Sequence, residues 1–205
     1  MNKYIYNRQS LLQLTHIPVA TIVGVGGTGS LVALLLAMSG CEELYLMDGD
    51  FTEETNFNRL LVPPMKENMG VLKTEIVSRM IQPLRPDCRI HQLGQATPFS
   101  LSETEGVIFD CTDNVPTQNL VYEFSKDNKR GYVRDGYDGT HITVLDRASS
   151  WQGLGVQQEG YTVFPSWVVP AMLAACIGVA KVMYNPNINV TGDISKIMFS
   201  KEEPK

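Results

Sequence analysis

Apolar positions along the chain fall into two periods, and the alternation between them sets the fold. Residues 19–25 (VATIVGV) form a short β-branched run of the kind that makes a strand buried on both faces. The run breaks into GGTGS and continues as LVALLLAMSG, an apolar helix former closed by Gly40. Residues 43–47 predict a second strand ending at Asp48, which completes a βαβ unit. Val71, Leu72, Ile76, Val77, Met80 and Ile81 share one face of a helix over 70–84. Residues 89–93 and 106–111 read as the third and fourth strands, and Pro116 opens a helix reaching about Asn128. Two later strands follow at 132–134 and 141–146, with Gly136 and Gly139 between them, and then an apolar helix over 167–184.

The weaker segments frame this core. Residues 4–14 predict a short N-terminal helix, 51–64 an irregular stretch, and 147–160 a surface loop. Residues 185–205 form a tail with weak signals, frayed at KEEPK. The pattern predicts one α/β domain over 1–205, with its core at about 4–184. The expected architecture is Rossmann-like: a mostly parallel central sheet, helices on both faces, and antiparallel later strands.

Composition narrows the classes. With 43% hydrophobic and 19% charged residues the chain is neither disordered nor fibrous, and 205 residues bury a full core without staples. A net charge of −5 argues against a general nucleic-acid binder. The start, MNKYIYNRQS, lacks the apolar core of a signal peptide, and residues 30–39 are too short to span a bilayer. Pro170, Gly178 and Lys181 interrupt the longer stretch at 166–184, which reads as a buried helix rather than a membrane span. Cys41, Cys88, Cys111 and Cys176 form no C-x-x-C pair, so no zinc ribbon or redox motif is present, and free thiols without a signal suggest the cytoplasm.

Gly24, Gly26 and Gly29 satisfy G-x-G-x-x-G between a strand and a helix. Glycines let the backbone turn sharply and approach a phosphate, which the helix N-terminus then faces. Asp48, 19 residues after Gly29, ends the next strand, where a carboxylate accepts hydrogen bonds from ribose hydroxyls. These features alone state only a nucleotide; a NAD-dependent dehydrogenase or a bare Rossmann scaffold fits them as well. Arg59, Lys73 and Asp113 shift the reading. Two cations suit a triphosphate, and an aspartate at the end of the fourth strand supplies the hard oxygen that Mg²⁺ prefers.

With YNRQ, GVGGTGS, MDGD, NFNRL, GVLKTE and DCTDN in order, the sequence resembles the ThiF/MoeB family over about residues 4–184. That family includes the adenylation domains of ubiquitin-like-protein activating enzymes, and the NFNRL form is most similar to the branch that activates the modifier UFM. The resemblance implies an ATP-dependent adenylyltransferase. Gly27 would line the phosphates, Asp48 the ribose, and Asn58, Arg59 and Lys73 the triphosphate. Asp113 would hold Mg²⁺ with Asn114 beside it. Arg8 matches an arginine that reaches across a homodimer into the partner's site. The implied substrate is the C-terminal Gly-Gly of a small β-grasp protein, whose tail the loop over 146–164 would cross; some relatives adenylate a peptide or a modified tRNA base.

Two departures bear on this reading. The paired C-x-x-C zinc sites of ThiF and MoeB are missing, so no structural zinc is expected, and residues 142–165 contain no cysteine that could form a thioester. Cys176, within AMLAACIGVAK, reads as a buried, inert thiol. Neither membrane nor nucleic acid is expected as a partner. The rival functions are a nicotinamide-dependent oxidoreductase and a non-catalytic scaffold.

Overall fold

The computed structural model describes residues 3–148 and 166–196. The loop expected to cross a substrate's tail lies almost wholly, and the KEEPK end entirely, outside the described residues. Seven strands form one sheet in the order β3-β2-β1-β4-β5-β6-β7. They are β1 (Val19–Val23), β2 (Glu43–Met47), β3 (Arg89–Leu93), β4 (Val107–Asp110), β5 (Tyr132–Asp138), β6 (His141–Leu145) and β7 (Val190–Asp193). The first five are parallel; β6 and β7 are antiparallel additions. This is the Rossmann-like α/β architecture expected from the hydropathy pattern. Its strand order reverses between β1 and β4, and at such a switch point open α/β sheets bind ligands outside the carboxyl strand ends.

Helices cover both faces. Alternation along β1 sends Ala20 and Ile22 to one face and Val23 to the other. On the first face α2 (Gly27–Met38), α3 (Lys73–Ile81) and α6 (Val168–Met183) enclose the larger core with Leu44, Leu46 and Phe109. On the second, α4 (Pro98–Ser102) and α5 (Val115–Asp127) enclose Val23, Met47, Ile108 and Tyr132. α6 tolerates its one charged residue because buried Lys181 is satisfied internally. Its Nζ donates to the Pro186 and Ile188 carbonyls, each at 2.6 Å, and to Asn189 Oδ1 at 3.1 Å. Among the described residues no helix is long and apolar enough to cross a membrane.

Several expectations need correction. The N-terminal helix is only a 3-10 turn (Lys3–Tyr6) followed by α1 (Asn7–Ser10). It ends before Gln13, which is in the left-handed region at φ 53°. The third helix begins at Lys73, because Gly70 (φ 65°) and the bridge between Phe51 and Leu72 hold the preceding chain in a turn. β5 runs on through Gly136 to Asp138, so only Gly139 (φ 56°) belongs to the hairpin turn. Cys176 is exposed on α6 instead of buried.

Candidate active site

The glycine loop forms the centre of a cavity of about 1010 Å³ outside the carboxyl ends of β1, β2 and β4. Gly24 (φ 82°) makes the sharp exit from β1, and a Cβ there would sit 3.0 Å from the Cys111 carbonyl carbon. Gly29 faces back onto the loop: its Cβ would overlap the Gly24 carbonyl oxygen, so α2 seats closely against the strand end only with glycine there. Gly26 caps α2 without any side-chain hydrogen bond. The first N–H groups of a twelve-residue helix therefore face the cavity uncapped, the arrangement that receives an anion.

Around this loop the structure gathers charge. The Asp48 carboxylate accepts from the Val25 N–H and the Asp50 N–H, each at 2.9 Å, which leaves lone pairs for a hydroxylated ligand. Burial raises its pKa above the ordinary carboxylate range, while the Lys73 charge and the two N–H groups oppose that shift. Lys73 opens α3, and its Nζ is paired with Asp50 Oδ2 at 2.7 Å. Arg59 lies over Gly27, where a Cβ would come within 2.9 Å of Arg59 Cδ. Its guanidinium donates to the Thr55 carbonyl at 2.7 Å and to Asn58 Oδ1 at 3.0 Å. Asn114 caps α5 through Thr117 N–H at 3.0 Å, and Asp113, one residue earlier, is exposed to the cavity.

Gly24, Gly26, Gly27, Asp48, Arg59, Lys73, Asp113 and Asn114 thus line one cavity. Three expected residues do not. Gly29 packs behind the loop. Asn58 is linked to the cavity through its neighbours, accepting from Arg59 and donating to the Ser166 carbonyl at 2.7 Å. Arg8 is exposed at the opposite edge of the sheet. Its helix is tied to the far end of α2 by Gln9, which donates to the Ser39 carbonyl at 2.7 Å, and by Tyr6 packed on Gly40. At 1.5 Å per residue, α2 alone separates the two ends by about 18 Å.

The cavity also contains residues to which the sequence assigns no role: Asp50, the last residue of MDGD, and, outside the motifs, Gln95, Arg134, Tyr137, Asp138 and Ser166. The Tyr137 hydroxyl hydrogen-bonds the Ser166 hydroxyl and reaches over Gly27. Burial raises the pKa of both Tyr137 and Asp138. The strand-end rule could have found Arg134 and Asp138, because β5 is parallel and ends at the same edge as β1. No thiol here is activated. Burial pushes Cys41 up to about 12 and Cys88 up to about 11 and holds Cys111 well above the ordinary thiol value, while partial desolvation and the Asp135 charge raise exposed Cys176.

The donor set fits a nucleotide triphosphate with Mg²⁺. Uncapped helix N–H groups and two cations meet the anion, and Mg²⁺ needs only one or two carboxylates beside phosphate oxygens and water. Among the described residues no group of three or more acidic, histidine or cysteine side chains is placed to hold a metal without such a ligand.

Comparison with known proteins gives the same direction. The ThiF family matches residues 5–152. The tRNA threonylcarbamoyladenosine dehydratase of Haemophilus influenzae is 32% identical over 158 residues, 72% of this chain and 60% of its own length. The adenylyltransferase and sulfurtransferase MOCS3 of Drosophila sechellia is 36% identical over 104 residues, 49% of this chain and 23% of its own length. The crystal structure of E. coli MccB with MccA-N7isoASN superposes with a TM-score of 0.71 at 19% identity, over 89% of this chain and 63% of that one. The chain therefore spans less than two thirds of the length of each of these relatives.

Proposed function

The chain belongs to the ThiF family, and on that premise we propose that it is an ATP-dependent adenylyltransferase acting on a carboxylate. The observation that carries this reading is the single cavity shared by the glycine loop, Asp48, Arg59, Lys73 and Asp113. A nicotinamide-dependent oxidoreductase has no use for that set of charges. A crystal structure of MccB with ATP, of TM-score 0.66 and 20% identity over 80% of this chain, has the same fold.

The reaction needs no protein nucleophile. A substrate carboxylate oxygen attacks the α-phosphorus of ATP, the bond from that phosphorus to the bridging oxygen breaks, and pyrophosphate leaves with the electron pair. The product is an acyl-adenylate. Both reactants are anionic, so the work of the site is positioning and charge neutralisation. In this reading Asp48 holds the ribose, the Gly24–Gly27 N–H groups cradle the phosphates, and Arg59, braced by Asn58, and Lys73 offset the growing charge on pyrophosphate. Asp113, with Asn114 beside it, would hold Mg²⁺, which supplies further charge neutralisation on the phosphate oxygens.

We take the first substrate to be the C-terminal glycine of a small ubiquitin-like or sulfur-carrier protein. A second reading is favoured by the dehydratase relatives, which match 72% and 70% of the chain against 49% for MOCS3. There the carboxylate belongs to threonylcarbamoyladenosine in tRNA, and nucleic acid becomes a partner. The chain works as a homodimer in this proposal. The outward side of α6 exposes Val169, Met172 and Cys176, an apolar face suited to a second copy. Arg8, too far from its own cavity, would then serve the partner's.

Exchange of labelled pyrophosphate into ATP tests the assignment. Lys73→Ala and Arg59→Ala are expected to lose about 10²–10³-fold in exchange while remaining folded. Near-normal exchange by either folded variant contradicts it.

A further inference from the structure

The cavity floor contains a guanidinium that belongs to none of the sequence motifs. Arg134 on β5 pairs in register with Asp110 on β4, which pairs with Val23, the residue before Gly24. The side chain is only 2% exposed, yet it lines the cavity together with Gly24, Gly26 and Gly27.

Its position is fixed. Nη1 donates to the Asp110 carbonyl at 2.8 Å and to the Asp135 carbonyl at 3.2 Å. The Asp110 carboxylate stands at 4.0 Å. That carboxylate accepts from the Tyr132 hydroxyl at 2.7 Å and from the Thr112 N–H and hydroxyl at 3.1 and 2.8 Å. Gly136 makes the room: a Cβ there would lie 2.8 Å from Arg134 Nη2. Desolvating a guanidinium is costly, and a well-packed apolar side chain would serve a purely structural site at least as well. A rigid, planar cation in a low-dielectric wall is, however, well suited to a phosphate.

The site also indicates which phosphate. Asp48, the ribose-side carboxylate, accepts from the Val25 N–H, so the ribose end of a nucleotide lies at Val25. The phosphate beside Gly24 and Val25 is then the α-phosphate, and Arg134 is the cation on the β4–β5 side of it. Lys73 approaches from the β2–α3 side, across the cavity.

We infer that Arg134 is a phosphate ligand of the nucleotide, its guanidinium contacting the α-phosphate at which adenylation takes place. The inference rests on the adenylation reading but is tested without turnover, by comparing AMP with adenosine. The two differ only in the α-phosphate, so the ratio of their affinities isolates it.

Calorimetric titration of wild type is expected to show AMP bound more tightly than adenosine. Arg134→Gln is expected to weaken AMP roughly ten- to hundredfold, the loss of a hydrogen bond to a charged group, with adenosine affinity unchanged. Gly136→Ala displaces the guanidinium while keeping its charge, and is expected to lower the ratio less, in the same direction. It also decides the matter if Arg134→Gln does not fold. Equal weakening of both ligands assigns Arg134 a structural role and overturns the inference. So does an AMP preference that survives in folded Arg134→Gln, or in Gly136→Ala where Arg134→Gln does not fold; either result leaves the adenylation reading standing. A wild-type protein with no preference for AMP overturns both.

Discussion

Two alanine substitutions, at Gly29 and at Gly26, separate what the glycine loop does for the fold from what it does for a ligand, because their surroundings differ. A Cβ at Gly29 would lie 3.0 Å from the Gly24 carbonyl carbon and overlap its oxygen. Relaxed carbon contacts lie at about 3.5–4.0 Å, so either the loop or α2 must give way by at least about 0.5 Å. Overpacking of that kind costs about 1–3 kcal/mol, and in a domain of this size 1 kcal/mol moves Tm by about 2–4 °C. Gly29→Ala is therefore expected to melt about 2–12 °C below wild type. A Cβ at Gly26 meets nothing within 4 Å, although Gly26 lines the cavity. Gly26→Ala, free of steric conflict, is expected to lose only the preference for glycine over alanine at a helix N-cap, about 1 kcal/mol or about 2–4 °C. Its methyl would instead obstruct the phosphate. Loss of one charge-assisted hydrogen bond from the loop weakens ATP by about tenfold or more. Differential scanning fluorimetry gives the first quantity and calorimetric ATP titration the second. Wild-type ATP affinity in Gly26→Ala, or a wild-type Tm in Gly29→Ala, refutes the reasoning.

Three further outcomes follow from named contacts. Burial pushes the Asp135 carboxyl up to about 8, with Arg134 opposing. The folded chain therefore binds that proton more tightly than the unfolded chain, whose carboxyl titrates near about 3.9. This contribution is complete below the unfolded value and is lost as pH rises toward 8, so wild type should lose denaturation midpoint between pH 5 and 8 relative to Asp135→Asn; a relative gain would contradict the burial argument. Lys181→Met strips three acceptors of their charged donor and is expected to destabilise the fold by at least about 2 kcal/mol in urea denaturation, with an unchanged midpoint counting against the contact. Mixing Arg8→Ala with Asp113→Ala subunits should restore part of the exchange activity that each lacks alone, whereas no recovery argues against an arginine acting across a dimer.

The centre of the parallel half was legible because β1, β2 and β4 are largely buried, whereas β3 at the sheet edge is mostly exposed. Residues 19–23 and 43–47 are runs whose period leaves little choice, and each ends where a glycine or aspartate turns the chain. The antiparallel half was harder. Hydropathy treats Arg-Asp-Gly as a strand end and so predicts that β5 stops at Arg134, whereas Arg134 and Asp135 are both buried within the strand. β7 (VTGD) is a short edge strand, only partly buried, and has no periodic signal. α4 is five residues long and betrays itself only by the Thr97–Ser100 capping box and Pro98 in its first turn.

The same contrast holds at the site. Gly24, Gly26, Asp48, Lys73 and Asp113 could be read because each sits at a strand end or helix start of the parallel unit. Tyr137, Asp138 and Ser166 reach the cavity from the β5–β6 hairpin and the approach to α6, and no spacing in the sequence joins them to the glycine loop. Asn58 is joined to two residues of the cavity, accepting from Arg59 and donating to the Ser166 carbonyl, a connection that no spacing in the sequence shows.

The central claim is that this cavity transfers AMP to a carboxylate. It is tested most directly by exchange of labelled pyrophosphate into ATP, run with wild type, Mg²⁺ and three carboxylates: a small protein ending in Gly-Gly, a peptide with a free C-terminus, and tRNA bearing threonylcarbamoyladenosine. Exchange that depends on one of these carboxylates is the expected result. Absence of exchange with all three, in a protein that binds NADH and not ATP, would contradict the claim.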